Sequence, residues 1–339
     1  MQEVTLKQIA EILQISVTTV SKALKDYKDV SPKTKAEVRN LAAKLNYKPN
    51  PTALSLRNRE TKIIGLIIPE VVHHFFASII HGVVLEAENH GYLVISLISN
   101  DSYELEKQQV ALLLDKRVDG ILVSLAGSTV HTHHISQILK KEVPLVMFDK
   151  ISDEIRCSQV IIDDWQAAFE ATEKLILSGC RKIIHLKGPD GPKTSQDRLD
   201  GYKDALKKHR IPFHSSYVYT SNNVSIDDGY KLTEQALKDH PDMDAVFCIT
   251  DLVAAGVHKY CKTHQIKMPE QVSIIGFSNW LISELMSPSL STVDQPGYEM
   301  GIRAVNLLIQ EIGSKKNDEK STLQKIVLPT KVLLRETTR

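Results

Sequence analysis

The sequence predicts a small all-helical N-terminal domain joined to an α/β core of two doubly wound parallel-sheet lobes. Three observations lead there. The first 45 residues carry three short amphipathic patterns with helix-start signals. After Lys62 the pattern changes to short apolar runs alternating with helical stretches, as in parallel sheets covered on both faces. The units are too many for one small sheet, so two similar lobes with a ligand cleft between them are the economical arrangement.

In the first pattern, Leu6, Ile9, Ala10 and Leu13 recur at i, i+3, i+4 and i+7. After the break Gln14-Ile15-Ser16, a second helix runs Val17–Leu24 with Ser16 as its N-cap. Its Val20, Ala23 and Leu24 face inward, and Thr18 and Lys22 face out. Ser31-Pro32 is an N-cap followed by proline at the first helical position, and Val38, Leu41, Ala42 and Leu45 form the third stripe. Two short helices across a tight turn, with small polar or basic outward side chains, suit a reader of the DNA major groove. Pattern alone leaves a helical cap on an enzyme as the alternative.

Predicted strands are Ile63–Ile68, Leu93–Leu97, Gly120–Val123 and Leu145–Phe148, then Val160–Ile162, Lys182–Leu186, Ala245–Ile249 and Val272–Ile275. Several intervening helices end in glycine, at Gly91 and Gly179. Ser314–Lys320 reads as a solvated loop.

Of 339 residues, 42% are hydrophobic and 24% charged, ordinary globular values, and the net charge is only +1. Its distribution is uneven. Residues 1–62 hold 12 Lys+Arg against 6 Asp+Glu, and the remainder 30 against 35. A basic head on a mildly acidic body fits a DNA-binding module on a sensor. Cys157, Cys180, Cys248 and Cys261 form no metal or redox motif and read as buried, reduced thiols. The first residues are polar and already helical, so no signal peptide is expected, and no apolar run has the length of a membrane span. The expected location is cytoplasmic. The dense histidines His73-His74 and His131-Thr132-His133-His134 lack zinc-ligand spacing and read as surface residues, with no metal or cofactor expected.

Val17-Thr18-Thr19-Val20-Ser21, the turn Ser31-Pro32-Lys33-Thr34, and Asn46–Arg57 leading into Lys62–Pro69 keep both order and spacing. Later come Arg117-Val118-Asp119-Gly120, Arg198 before Gly201-Tyr202, Val272–Phe277 and Leu290-Ser291-Thr292-Val293. Together these make the chain resemble the lactose-repressor (LacI/GalR) family of bacterial transcription regulators over essentially its whole length. The resemblance implies a helix-turn-helix domain at 1–48, a hinge helix or linker at 49–61 and a periplasmic-binding-protein-like effector core at 62–339. Within the core it implies an N-lobe of about 62–160 and 294–322 and a C-lobe of about 161–293 and 323–339. The chain would cross between lobes near Val160, Thr292–Asp294 and Leu323.

For DNA, Thr18 and Lys22 are the best base-reading candidates. Val17 is ambiguous: its spacing points inward, whereas the resemblance sets it against bases. Thr5, Ser16, Ser21 and Thr34 suit phosphate contacts or caps. In the family, the segment matching Pro51–Asn58 folds when two subunits meet on the operator, and its leucine, here Leu56, wedges into the minor groove. Asn50 and Arg57 belong to the same DNA set. Pro51 and Leu54 depart from the common pattern. The partner is a pseudo-palindromic double-stranded operator.

The resemblance places an effector pocket at Phe76, Ser124, Asp149, Thr194, Arg198, Val224, Thr250 or Asp251, and Ser278. Arg198 could instead simply pair with a nearby Asp. Gly276-Phe277-Ser278-Asn279-Trp280 lacks the usual ligand carboxylate, and Val224 replaces an aromatic that often stacks on ligand. Trp280 either supplies that stacking face or packs at the lobe interface. Hydroxyls and a donor fork around an aromatic face favour a neutral or mildly acidic sugar over a nucleobase.

The expectation is therefore an effector-controlled, DNA-binding regulator, read as a repressor. A sugar-binding transport-type protein is the alternative. No phosphate loop, nucleophile elbow, HExxH or strand-borne GxGxxG appears, which argues against an enzyme. A homodimer through the first lobe's outer helices, such as Phe75–His90, is expected, since no C-terminal leucine repeat follows Leu334.

Overall fold

The computed structural model describes residues 4–45, 47, 60–72, 74–320 and 322–339. The chain forms two compact units, Met1–Thr61 and Lys62–Arg339.

In the first unit, helices α1 (Leu6–Leu13), α2 (Val17–Leu24) and α3 (Pro32–Lys44) each begin at a side-chain cap. Thr5 and Gln8 form a reciprocal capping box on α1. Ser16 accepts from the Thr19 N–H and Ser31 from the Thr34 N–H, each satisfying a backbone donor that a short helix leaves orphaned. Ile9, Ala10, Val20, Ala23, Val30, Val38 and Ala42 make the small core.

The second unit holds two six-stranded sheets. The first contains β1 (Ile63–Ile68), β2 (Leu93–Ile98), β3 (Gly120–Val123), β4 (Leu145–Phe148), β5 (Ser158–Ile162) and β11 (Lys325–Leu328). Its order is β11-β5-β4-β3-β1-β2, all parallel. The second contains β6 (Ile183–Lys187), β7 (Val218–Thr220), β8 (Ala245–Cys248), β9 (Ser273–Phe277), β10 (Ser291–Asp294) and β12 (Lys331–Leu333). Its order is β12-β10-β9-β8-β6-β7, with β12 antiparallel to β10 and the rest parallel. The flanking helices are α4 (His74–Asn89), α5 (Tyr103–Asp115), α6 (His133–Lys140), α7 (Asp164–Leu177), α8 (Lys193–Lys208), α9 (Ile226–Asp239), α10 (Asp251–Thr263), the short α11 (Ile282–Leu285) and α12 (Gly297–Lys316). No helix among the described residues is long and apolar enough to cross a membrane.

The sheets exchange chain three times, and the topology corrects one of the expected crossings. The first follows Ile162, close to the expected Val160, which is itself bonded within β5 opposite Phe148. The third falls between Leu328 and Lys331. Residues 325–328 pair with β5 of the first sheet, so they do not belong to the second lobe as the expected boundary at 323 had it. Strands β7 (VYT), β10 (STVD), β11 (KIVL) and β12 (KVL) escaped sequence reading because each is short and interrupted by polar residues, whereas the equally short β3, β4 and β8 are unbroken runs free of polar side chains.

All four cysteines are free and buried, and burial pushes Cys157 and Cys261 up to about 12. The surface reading of the histidines fails at His134. It is buried, and its Nε2 lies 2.7 Å from the equally buried Glu106 carboxylate. The other Glu106 oxygen accepts the Ala126 N–H. A histidine next to the exposed His133 gives no sign in sequence of such a partner.

His185 on β6 is fully buried between the rings of Tyr202 and Phe247, with Nδ1 3.0 Å from the Phe247 carbonyl. Burial holds its pKa down, to about 3 from the usual 6.5. The unfolded chain therefore takes up this proton first. Stability conferred by neutral His185 is complete above about pH 6.5 and should fall by roughly 1.4 kcal/mol per pH unit on acidification toward pH 3. Urea unfolding of His185→Phe should show a shallower pH dependence than the wild type over that window; equal slopes would refute the assignment.

Helices α9 and α10 cross glycine on glycine. A Cβ on Gly256 would lie 2.1 Å from the Ile226 carbonyl oxygen, and one on Gly229 would lie 2.1 Å from that of Val253. These are backbone atoms that cannot yield, so Gly256→Ala should lower stability by about 1–3 kcal/mol in denaturant titration.

Candidate functional site

Open parallel sheets bind ligands beyond their strands' C-terminal ends, where loops are free and backbone groups unpaired. Here both sheets aim those ends at one cavity of about 490 Å³. The first sheet contributes Glu70 after β1, Asn100 and Asp101 after β2, Gly127 and Ser128 after β3, and Asp149 and Lys150 after β4. The second contributes Gly188 and Pro189 after β6, Asn222–Val224 after β7, Ile249 and Thr250 after β8, Ser278 after β9 and Gln295 after β10. The first turn of α4 adds Phe75 and Phe76, and the first two turns of α8 add Thr194, Ser195 and Arg198.

Many of these lining residues leave their strands through left-handed backbone. Asn100, Asp101, Asp149, Val224 and Ser278 all have positive φ. Asn and Asp tolerate that region, whereas a β-branched valine at φ 46° is strained.

Of the ten residues expected at the effector site, Phe76, Asp149, Thr194, Arg198, Val224, Thr250 and Ser278 line the cavity. Three do not. Ser124 is fully buried beneath it, 3.4 Å from Asp149. Asp251 is buried and ties the second sheet's edge: it accepts the Trp280 N–H at 2.7 Å and the Thr292 hydroxyl at 2.6 Å. Trp280 borders a separate small recess with His74, Phe75, Asp251 and Leu252. Of the two roles open to Trp280, packing outside the main cavity is the one observed. Sequence reading missed Glu70, Asn100, Asp101, Lys150, Ser195, Asn222, Asn223 and Gln295. Polar residues just after a strand were the available signal, and it is a weak one.

Arg198 forms the ion pair with a nearby Asp that was one of its two readings. Its Nε donates to Asp164 at 2.8 Å, its Nη1 to the Ile249 carbonyl at 2.7 Å, and its guanidinium lies 3.6 Å from the Phe277 ring centroid. It also lines the cavity, and no partner for Nη2 is seen among the described residues. Two further lining groups are buried without partners: Ser195 Oγ and Gln295 Nε2. The Ser278 hydroxyl donates to Gln295 Oε1 at 2.9 Å, which fixes the amide with its N–H groups unused. Buried donors left unpaired are costly, so these two are placed to hydrogen-bond a polar ligand.

Carboxylates here are hard to ionise. Burial, offset in part by Lys150 and reinforced by Asp101 and Asp149, pushes Glu70 up to about 7. Burial raises Asp149 too, and carries Asp164 to about 6 despite Arg198.

On the helical unit, Ser16, Val17 and Thr18 are exposed. At 43% exposure Val17 faces outward, not into the core as its spacing alone suggested. Ser21, Lys22 and Thr34 are half-buried, and Thr5 is committed to its capping box. Lys22 is ion-paired with Asp29. Asn50, Leu56 and Arg57 lie outside the described residues, as does most of the 49–61 segment.

Residues 61–333 match the family profile described as periplasmic binding proteins and sugar binding domain of LacI family. Residues 5–50 match bacterial regulatory proteins, lacI family. The chain is 31% identical to a ribose operon repressor of Halalkalibacterium halodurans, covering 99% of this chain and 97% of that one. It is 32% identical to the HTH-type transcriptional repressor CytR of Escherichia coli, over 91% and 89%. A transcriptional regulator CelR–cellobiose complex superposes with a TM-score of 0.74 at 26% identity, over 99% of this chain and 100% of that one.

Asp251→Ala should lower stability by about 2–3 kcal/mol, because it strands the Trp280 N–H and the Thr292 hydroxyl. Unchanged urea unfolding would show that Asp251 does not anchor that edge.

Proposed function

The chain belongs to the LacI family of bacterial regulatory proteins, which are DNA-binding transcription regulators and not enzymes, and from that premise we propose that a sugar-class ligand in the two-sheet cavity sets its affinity for an operator. The observation that supports this best is the pairing of two unsatisfied buried donors, Ser195 Oγ and Gln295 Nε2, with the aromatic faces of Phe75 and Phe76 in one cavity. A polyhydroxylated ring offers acceptors for the former and apolar edges for the latter. The cellobiose held by the CelR relative and the ribose operon named for another fit the same class.

At the DNA, Thr18 and Val17 read base edges, and Ser16, Ser21, Thr5 and Thr34 support the phosphate contacts. Lys22 joins the base readers by leaving Asp29, at little cost, since exposed ion pairs contribute at most about 1 kcal/mol. Leu56 wedges into a central step with Asn50 and Arg57 beside it. Two such units related by a twofold axis make the protein a cytoplasmic homodimer on a pseudo-palindromic site. Ligand shifts DNA affinity by binding one arrangement of the lobes better than the other.

Selection from random DNA followed by gel-shift titration tests both halves. Thr18→Ala should relax base choice at one position per half-site by about 1–3 kcal/mol. Gln295→Ala should remove the response to ligand and leave operator affinity without ligand within about twofold. This variant is preferable to Arg198→Ala, because breaking the buried Arg198–Asp164 pair costs about 3–5 kcal/mol of stability on its own. Recovery of asymmetric sites alone would refute the dimer, and a Gln295→Ala protein that still responds in full would refute the cavity assignment.

A further inference from the structure

Two loops from opposite sides of the cavity meet backbone to backbone. On the first sheet's side, the loop after β3 carries Gly127 and Ser128 into the cavity wall. It is firmly held. The Gly127 N–H donates to Asp101 Oδ1 at 2.7 Å, and the Ser128 hydroxyl to the Asp101 carbonyl at 2.7 Å. Ser128 Oγ in turn accepts the Tyr103 N–H, and Glu106 accepts the Ala126 N–H and the Thr129 hydroxyl. On the second sheet's side, the loop Gly188-Pro189-Asp190-Gly191-Pro192 links β6 to α8. Its prolines fix their own φ, and Asp190 is ion-paired with Lys187.

A Cβ on Gly191 would lie 2.6 Å from the Gly127 carbonyl oxygen and, chain neighbours aside, would touch no other residue within 4 Å. Gly191 lies outside the left-handed region, so alanine fits its backbone. What glycine supplies here is room for the opposite loop. Ordinary contact distance would part the loops by about 0.8 Å. Beside this contact Lys193, the first residue of α8, reaches across the same seam to Asp153, between β4 and β5, at 3.2 Å. Both side chains are exposed, so their pair reports the approach of the two sides more than it causes it.

We propose that Gly191 and Gly127 are positioning residues of the ligand site: their contact is the stop at which the two sides of the cavity meet, and it sets how near Thr194, Ser195 and Arg198 on α8 come to Ser128 and Asp149. This rests on the reading of the cavity as the ligand site. Helix α8 begins two residues after Gly191, so a displacement of the loop is carried to those lining side chains. A ligand bridging the two sides needs hydrogen bonds within about 3.2 Å at both ends, and a gap widened by a methyl group breaks one set.

Carbodiimide treatment of the full chain tests this, because it joins a lysine to a carboxylate only where the two are in contact. Peptide mass spectrometry measures the Lys193–Asp153 link against the Lys208–Glu173 link, whose 2.8 Å pair lies wholly on the second side. Gly191→Ala should lower that ratio several-fold and Gly191→Val further, with the thermal midpoint little changed. Gly313→Ala, where a Cβ would meet open space, should leave the ratio as it is. An undiminished ratio in Gly191→Val overturns the inference and leaves the proposed function standing. A ratio that falls only together with the thermal midpoint also overturns it, since the glycine then serves folding alone. Gel-shift titration of the same variants separates the two readings. A lowered ratio should come with a several-fold shift in operator affinity, because the arrangement of the lobes sets that affinity. If the ratio falls and operator affinity is unmoved, the stop stands and control of DNA binding by the lobes falls.

Discussion

The buried guanidinium of Arg198 is the contact on which the cavity's floor depends. It joins the start of α7 through Asp164, the end of β8 through the Ile249 carbonyl, and the end of β9 through the Phe277 ring, while itself standing on α8. A planar donor fork can satisfy a carboxylate and a carbonyl at once while stacking its face on an aromatic ring, which an ammonium cannot do. Asp164 has to be ionised for this to hold. Burial pushes it up to about 6, and the guanidinium pulls the other way. The pair is thus a means of fixing geometry more than a source of net stability, because desolvation cancels much of its Coulombic gain.

Around that floor, the rim is built from backbone under mild strain. Loops leaving parallel strands of both sheets take positive φ at Asn100, Asp101, Asp149, Val224 and Ser278, all of which line the cavity. Glu106 braces the exit of β3 from beneath, accepting the Ala126 N–H and the Thr129 hydroxyl while facing His134. A rim held in place before ligand arrives loses less entropy on binding. Its two sides remain connected by three chain crossings, which suits a cavity whose closure reports occupancy.

The helical unit solves a different problem. Its core is small, and helices of eight residues are too short to persist alone. Caps at Thr5, Ser16 and Ser31 and packing among Ile9, Val20 and Val38 compensate. The same economy leaves the outer face of α2 free of structural duty, with Val17 and Thr18 exposed.

How much of this was legible without coordinates follows from the range of the forces involved. Caps, the 3.6-residue stripes of α1 to α3, and the apolar strands β1, β3 and β4 are set by neighbours in sequence, and their bounds could be read directly. The motif around Arg198 and the run ending at Ser278 marked where a cavity would be. What the sequence could not decide was partnership between distant residues. Asp251 and Trp280 stand in the pattern beside Thr250 and Ser278, yet Asp251 turns to hold Trp280 and Thr292. Glu70, Lys150 and Gln295 carry no local mark, because their importance comes from strand ends far apart in the chain meeting at one place. The assignment of residues 325–328 to the first sheet is of the same kind, since pairing with β5 across more than 150 residues has no local signature. Periodicity and capping belong to the sequence alone; charge balance and buried hydrogen bonding belong to the tertiary structure, because they depend on which strand ends converge.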